Sequence, residues 1–239
     1  MNGANAVNGD SSNQARTSNL SRTLDFLLMT FRLKKFSFAG MNYLGHAYLS
    51  YGNGELLTGN MIGDHVKGRL ALEHFPPGIK KGIELHRKID GMVDAHPATM
   101  RAKLFFREHY GLYAGAIMDT LYDHFLANDP ALFPTSDALL SFTETTYLQL
   151  EEQKDFFPAK FAAYFPHMKE HNWLYNYRKL KGMERSLGGL ARRALYMPPA
   201  DKAFEAFVTH YYQLNQCYYD IIDDLIRFVR IELNTQGIN

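Results

Sequence analysis

Cys217 is the only cysteine in the 239 residues, so no intramolecular disulfide can form. That fits a reducing, cytoplasmic setting. No run approaches the roughly 18 unbroken apolar residues that a transmembrane helix needs, so no membrane role is expected. Strict apolar/polar alternation bounded by turns is missing, which removes the usual signature of half-buried strands. The chain also lacks a P-loop, a GxGxxG turn, a GxSxG elbow and any internal repeat. Nor is there an excess of one charge: the formal net charge is +1, with residues 1–40 at +3 and the remainder at −2. A slightly negative body argues against a general nucleic-acid binder, so recognition of a polyanion would need a local patch.

What remains is a chain that is 46% apolar and 21% charged, long enough for one substantial core. Residues 1–22, rich in Asn, Ser, Gly and Ala, predict disorder. In residues 23–40 Lys34 and Lys35 follow the apolar run instead of preceding it, so a secretory signal fits poorly. Residues 1–40 are therefore read as a non-essential extension, and 41–239 as the functional domain.

From Met41 onward the punctuation is helical. Leu44, Ala47 and Tyr48 start a first helix, and Leu56 to Ile62 resumes it after Gly52 and Gly54. Pro76 and Pro77 open a helix at about 78–94, since proline suits a first turn. His96-Pro97 ends it and starts the next. Further helices are expected at 98–109, 112–128, 136–153 and 157–170. Phe204, Phe207, Tyr211, Leu214, Tyr218, Ile221, Leu225 and Phe228 form one apolar stripe, predicting a long unbroken terminal helix with Cys217 in its core. The sum is an all-α, single-domain helical bundle.

Chemistry is concentrated in His and Asp residues from four segments. His86 and Asp90 lie four apart and project from one helix face, although, taken alone, Asp90 is better read as paired with Arg87 or Lys88 in solvent. Asp119 and Asp123 also lie four apart in an apolar helix, where two like charges are costly unless paired or bound to a cation. His124 could approach the same ion as Asp123, or be a core histidine bonded to a carbonyl. Asp64 follows Gly59 and Gly63, as a ligand presented by a bend or as a turn residue; His46 lies in the first helix. Mixed imidazole and carboxylate donors suit a divalent ion of the Mn, Fe or Zn kind. Arg87 offers a planar fork for phosphate oxygens.

The stretches MNYLGHAYLS (41–50), LLTGNMIGDHVKG (56–68), GIELHRKID (82–90) and MDTLYDHFL (118–126) resemble the bacterial acyl carrier protein phosphodiesterase family. WLYNYR, GLARR and HYYQLNQCYYDII echo it later, up to about residue 232. The resemblance implies an HD-domain-like metal-dependent phosphohydrolase that removes 4′-phosphopantetheine from a serine of acyl carrier protein, with Mn²⁺, or Mg²⁺ as a weaker substitute. HD signatures run His then Asp, whereas the adjacent pair here is Asp123-His124. On this basis His46, Asp64, His86, Asp123 and His124 are expected to hold the ion. Asp90 or Asp119 would orient a ligand or accept a proton, and Arg87 would neutralise phosphoryl charge. Basic groups for an acidic carrier are offered by Lys67, Arg69, Lys80 and Lys81, and by Arg178, Lys179, Arg192 and Arg193. The alternatives are a hydrolase of a small nucleotide or another phosphodiester, and a non-catalytic helical module.

Overall fold

A computed structural model describes residues 43–235, all within one compact unit. The expected extension at 1–40 lies outside the described residues. Every regular element among those described is helical. In chain order they are α1 (Tyr43–Tyr48), α2 (Gly54–Ile62), α3 (Pro77–Ala95), α4 (Pro97–Tyr110), α5 (Ala114–Ala127) and α6 (Ser136–Glu152). They continue as α7 (Ala159–Glu170), α8 (Trp173–Asn176), α9 (Leu180–Arg193), α10 (Asp201–Thr209) and α11 (Tyr211–Thr235). No helix among these residues is long and apolar enough to cross a membrane.

Local chemistry explains the boundaries. Asn53 caps α2 by accepting from the Leu56 N–H. Pro77 and Pro97 occupy first turns, where a missing N–H costs nothing. The His96 ring accepts the Ala98 N–H and so caps α4. Between α1 and α2 the chain reverses through Tyr51 and Gly52, both with positive φ, and α2 returns beside α1.

The most intimate contact is α2 against α3. Gly59 and Gly82 face each other there, and a Cβ on Gly59 would overlap the Ile79 carbonyl and come within 2.8 Å of the Gly82 Cα. Two glycines inside helices cost about 1 kcal/mol each relative to alanine. In return the two backbones touch, and Leu56, Leu57, Ile79 and Ile83 are fully buried alongside. Gly63 extends the approach by one turn, because a Cβ there would come within 2.3 Å of the His86 Cγ. The spacing between the Asp64 turn and the His86 face is thereby fixed by three glycines.

Two expectations are corrected. The terminal stripe is divided: His210 ends α10, its N–H bonding the Ala206 carbonyl, and α11 starts afresh at Tyr211. With this break Phe207 and Tyr211 both pack on the His124 and Phe125 rings. Leu112, where the helix expected at 112–128 was to begin, is instead exposed in the 3-10 turn Gly111–Tyr113 that precedes α5.

Candidate metal centre

His46, His86 and Asp90 offer donor atoms within 4.8 Å of one another between α1 and α3, and Asp64, in the turn after α2, joins this group beside His86. His46 Nε2 lies 3.3 Å from Asp90 Oδ1. His86 Nε2 lies 3.2 Å from Asp90 Oδ2 and 3.4 Å from Asp64 Oδ1. The two imidazoles stack with centroids 4.1 Å apart. Side-chain exposure rises from 3% at His46 and 6% at His86 to 13% at Asp64 and 44% at Asp90, so the centre opens on the Asp90 side.

Asn60, one turn before Asp64, sets both rings. Its side-chain oxygen is 2.8 Å from His46 Nδ1, and its backbone oxygen is 2.8 Å from His86 Nδ1. Its amide nitrogen donates to the His46 carbonyl and to Ser50 Oγ, which fixes the amide's orientation. Both Nδ1 atoms face oxygen acceptors and therefore carry hydrogens. In the neutral rings this leaves both Nε2 lone pairs aimed at the shared space. An outer partner holding the far nitrogen of a histidine is the usual support of a metal ligand.

The two carboxylates favour positive charge beside His86. Burial alone would lower the His86 pKa, but the Asp64 and Asp90 carboxylates outweigh it and raise the value to about 10. Burial would raise the Asp90 pKa, yet His46 and His86 hold it below the carboxylate range. His46 is lowered by burial and by the neighbouring His86 charge. Meanwhile His86 Nε2 is buried and makes no hydrogen bond among the described residues despite the carboxylates beside it. A buried, unpartnered imidazole nitrogen between two carboxylates fits a divalent ion.

The Asp123-His124 doublet is not part of this cluster. Asp123 Oδ1 and Oδ2 accept the Gly45 and Leu44 N–H groups at 2.9 and 3.1 Å, so it caps the start of α1 from across the core. Burial pushes its pKa well up, against the opposing effect of those N–H donors. His124 Nδ1 is 2.7 Å from the Tyr177 carbonyl, and Nε2 is 3.0 Å from the Tyr211 hydroxyl. Both of its nitrogens are engaged, which corresponds to the core-histidine alternative. Asp119 lies close enough to Asp90 and Asp94 for their charges, after burial, to push its pKa well above the ordinary range. Arg87 Nη2 donates to the Val66 carbonyl at 2.9 Å, tying the guanidinium to the loop after Asp64.

Sequence reasoning missed Asn60. Its only sequence signal is the four-residue step to Asp64, and its contacts to His46 and His86 span 14 and 26 residues. It also missed the group beside the centre in which Tyr164 O–H lies 2.7 Å from His65 Nε2 and bonds Tyr43, with the Trp173 ring stacked on Tyr164. Burial lowers the His65 pKa to about 4, so that ring is neutral near pH 7. Replacing Asn60 by leucine removes the acceptor on His46 Nδ1 and should weaken Mn²⁺ binding about 10–100-fold, measured by titration with the melt followed in parallel.

An all-helical bundle that brings two anchored imidazoles and the Asp90 carboxylate within 4.8 Å of one another, with Asp64 at their edge beside His86, defines a candidate metal centre. Residues 41–225 match the family model described as "Acyl carrier protein phosphodiesterase". The chain belongs to the acyl carrier protein phosphodiesterase family. A protein of that name from Salmonella paratyphi A is 28% identical over 179 residues, covering 75% of this chain and 92% of its own length. Relatives of the same name from Salmonella agona and Salmonella dublin are 27% identical over the same coverage. No solved structure matches the chain.

Proposed function

We propose that the protein hydrolyses the phosphodiester joining 4′-phosphopantetheine to a serine of holo-acyl carrier protein in the cytoplasm, giving apo-carrier and free phosphopantetheine, with Mn²⁺ held by His46, Asp64, His86 and Asp90. Asp90 thus moves from the orienting role expected from sequence into the ligand set, while Asp123 and His124 leave it. The observation that carries this reading is the buried His86 Nε2, without a hydrogen bond, between two carboxylates, in a chain whose relatives are named acyl carrier protein phosphodiesterase. When bound, such an ion supplies Lewis acidity toward a phosphoryl oxygen and lowers the pKa of water, as in an HD-type hydrolase.

The chain's own residues do the remainder. Asn60 keeps both imidazoles in one tautomer and orientation. Arg87, tethered through Val66, directs positive charge toward the phosphoryl oxygens on the open side. Asp119, within charge range of Asp90 and Asp94, is the carboxylate placed to accept the proton released as water attacks. Purified protein with Mn²⁺ and holo-carrier should yield apo-carrier by mass spectrometry, while a nucleotide panel stays intact. An unchanged carrier beside a cleaved nucleotide would overturn the reading.

Proton linkage supplies a second check. His86 must lose its proton before Nε2 can face an ion. Its pKa is raised to about 10, so apparent Mn²⁺ affinity should rise about tenfold per pH unit between 7 and 9. About one proton should be released per ion, read by calorimetry in buffers of different ionisation enthalpy. The same shift makes the ion-free protein lose the stability supplied by His86⁺ as pH climbs from 6.5 through about 10.

A further inference from the structure

The charge of the body is segregated. Residues 178–193, covering α9 and the two residues before it, hold six basic side chains and one acidic, a net of +5. The rest of residues 41–239 holds 15 basic and 22 acidic, a net of −7. Elsewhere many surface bases are matched: Lys80 pairs with Glu73, Lys88 with Glu232, Arg101 with Asp220, Lys103 with Asp94 and Lys169 with Glu151. Lys181, Arg185 and Arg192 are exposed and make no salt bridge among the described residues.

Helical geometry aligns these three. With about 100° per residue, positions 181, 185, 188 and 192 fall within a narrow stripe on one face of α9. The fourth is Gly188, half-buried, where an added Cβ would meet only the Arg192 Nη1 at 3.5 Å. A mid-helix glycine costs about 1 kcal/mol against alanine, and packing within this chain does not require it. Its effect is to leave a low shelf over which Arg192 folds. Leu195 and Tyr196, 73% and 71% exposed, add apolar surface just beyond the helix end. Arg193, the last residue of α9, lies within electrostatic reach of Tyr43 and Tyr164, beside the Asp64 turn.

We infer that this face of α9 is the docking surface for the acidic carrier protein. Acidic side chains of the carrier lie along Lys181, Arg185 and Arg192, and the Gly188 shelf admits their close approach. Docked there, the carrier stands at the Arg193 end of α9, on the Asp64 side of the metal centre. This inference rests on the proposed reaction and refines where its substrate binds.

The test compares wild type, K181E/R185E, Gly188→Gln and a control reversal at Arg107, an exposed base on α4. Hydrolysis is measured on holo-carrier and on bis(p-nitrophenyl) phosphate, both with Mn²⁺. Expected for K181E/R185E is a KM for carrier raised at least about tenfold and a flattened salt dependence, with turnover of the small diester retained. Gly188→Gln should also raise the carrier KM although no charge changes, and Arg107→Glu should not. A K181E/R185E enzyme with wild-type carrier KM overturns the docking assignment. A wild-type enzyme that leaves the carrier intact overturns the reaction itself, so the two failures are distinguishable.

Discussion

Alanine at His86 should bring Mn²⁺-dependent hydrolysis and bound Mn²⁺ to background while the far-ultraviolet helical signal stays. Alanine at His124 should keep Mn²⁺ and hydrolysis while lowering the melting temperature. His86 offers the unpartnered Nε2 and stands between Asp64 and Asp90, so its loss leaves two carboxylates and one imidazole around the point where an ion would sit. His124 instead joins the Tyr177 carbonyl to the Tyr211 hydroxyl inside a shell of Phe125, Phe207 and Tyr211 rings. Removing it opens a cavity and orphans a buried carbonyl, a cost of about 3 kcal/mol. For a chain of this size that is a drop in Tm of about 6–12 °C. Stoichiometric Mn²⁺ in purified H86A, or its absence in a folded H124A, would reverse the assignment.

Gly59→Ala should be severely destabilising. The new Cβ meets backbone on three sides, at the Ile79 carbonyl, the Gly82 Cα and the Ile83 nitrogen, none of which can rotate away. α2 and α3 must separate, and the packing around Leu56, Ile79 and Ile83 separates with them. A loss above about 3 kcal/mol is expected, seen as insolubility or a Tm lowered by more than about 6 °C. Gly63→Ala is the informative companion. Its Cβ meets the His86 ring and not backbone, so the helices can stay packed while the imidazole is pushed off its anchor on Asn60. That variant should fold and bind Mn²⁺ poorly, by thermal melt and metal titration. If both alanines are tolerated, the glycine approach does not position the centre.

The helices were readable because proline, glycine and capping residues punctuate them locally: Pro77, Pro97 and the 136–152 segment fall within a residue or two of where patterning puts them. The His86–Asp90 pairing was readable for the same reason, being one turn of one helix. Asp123 was not. A carboxylate in an apolar helix is costly whichever partner relieves it, and a cation or two N–H groups 78 and 79 residues away give the same sequence pattern. The break at His210 was hidden because the three- and four-residue spacing of the stripe continues across it, and only the packing around His124 separates the two helices.

Because Asn60 grips both imidazoles, one through its amide and one through its carbonyl, any sway of α2 carries the two rings as a pair. The bite between their Nε2 atoms is thus insulated from breathing of the bundle. Asp90, on the open side, reaches both Nε2 atoms and so spans that bite from the solvent-facing edge.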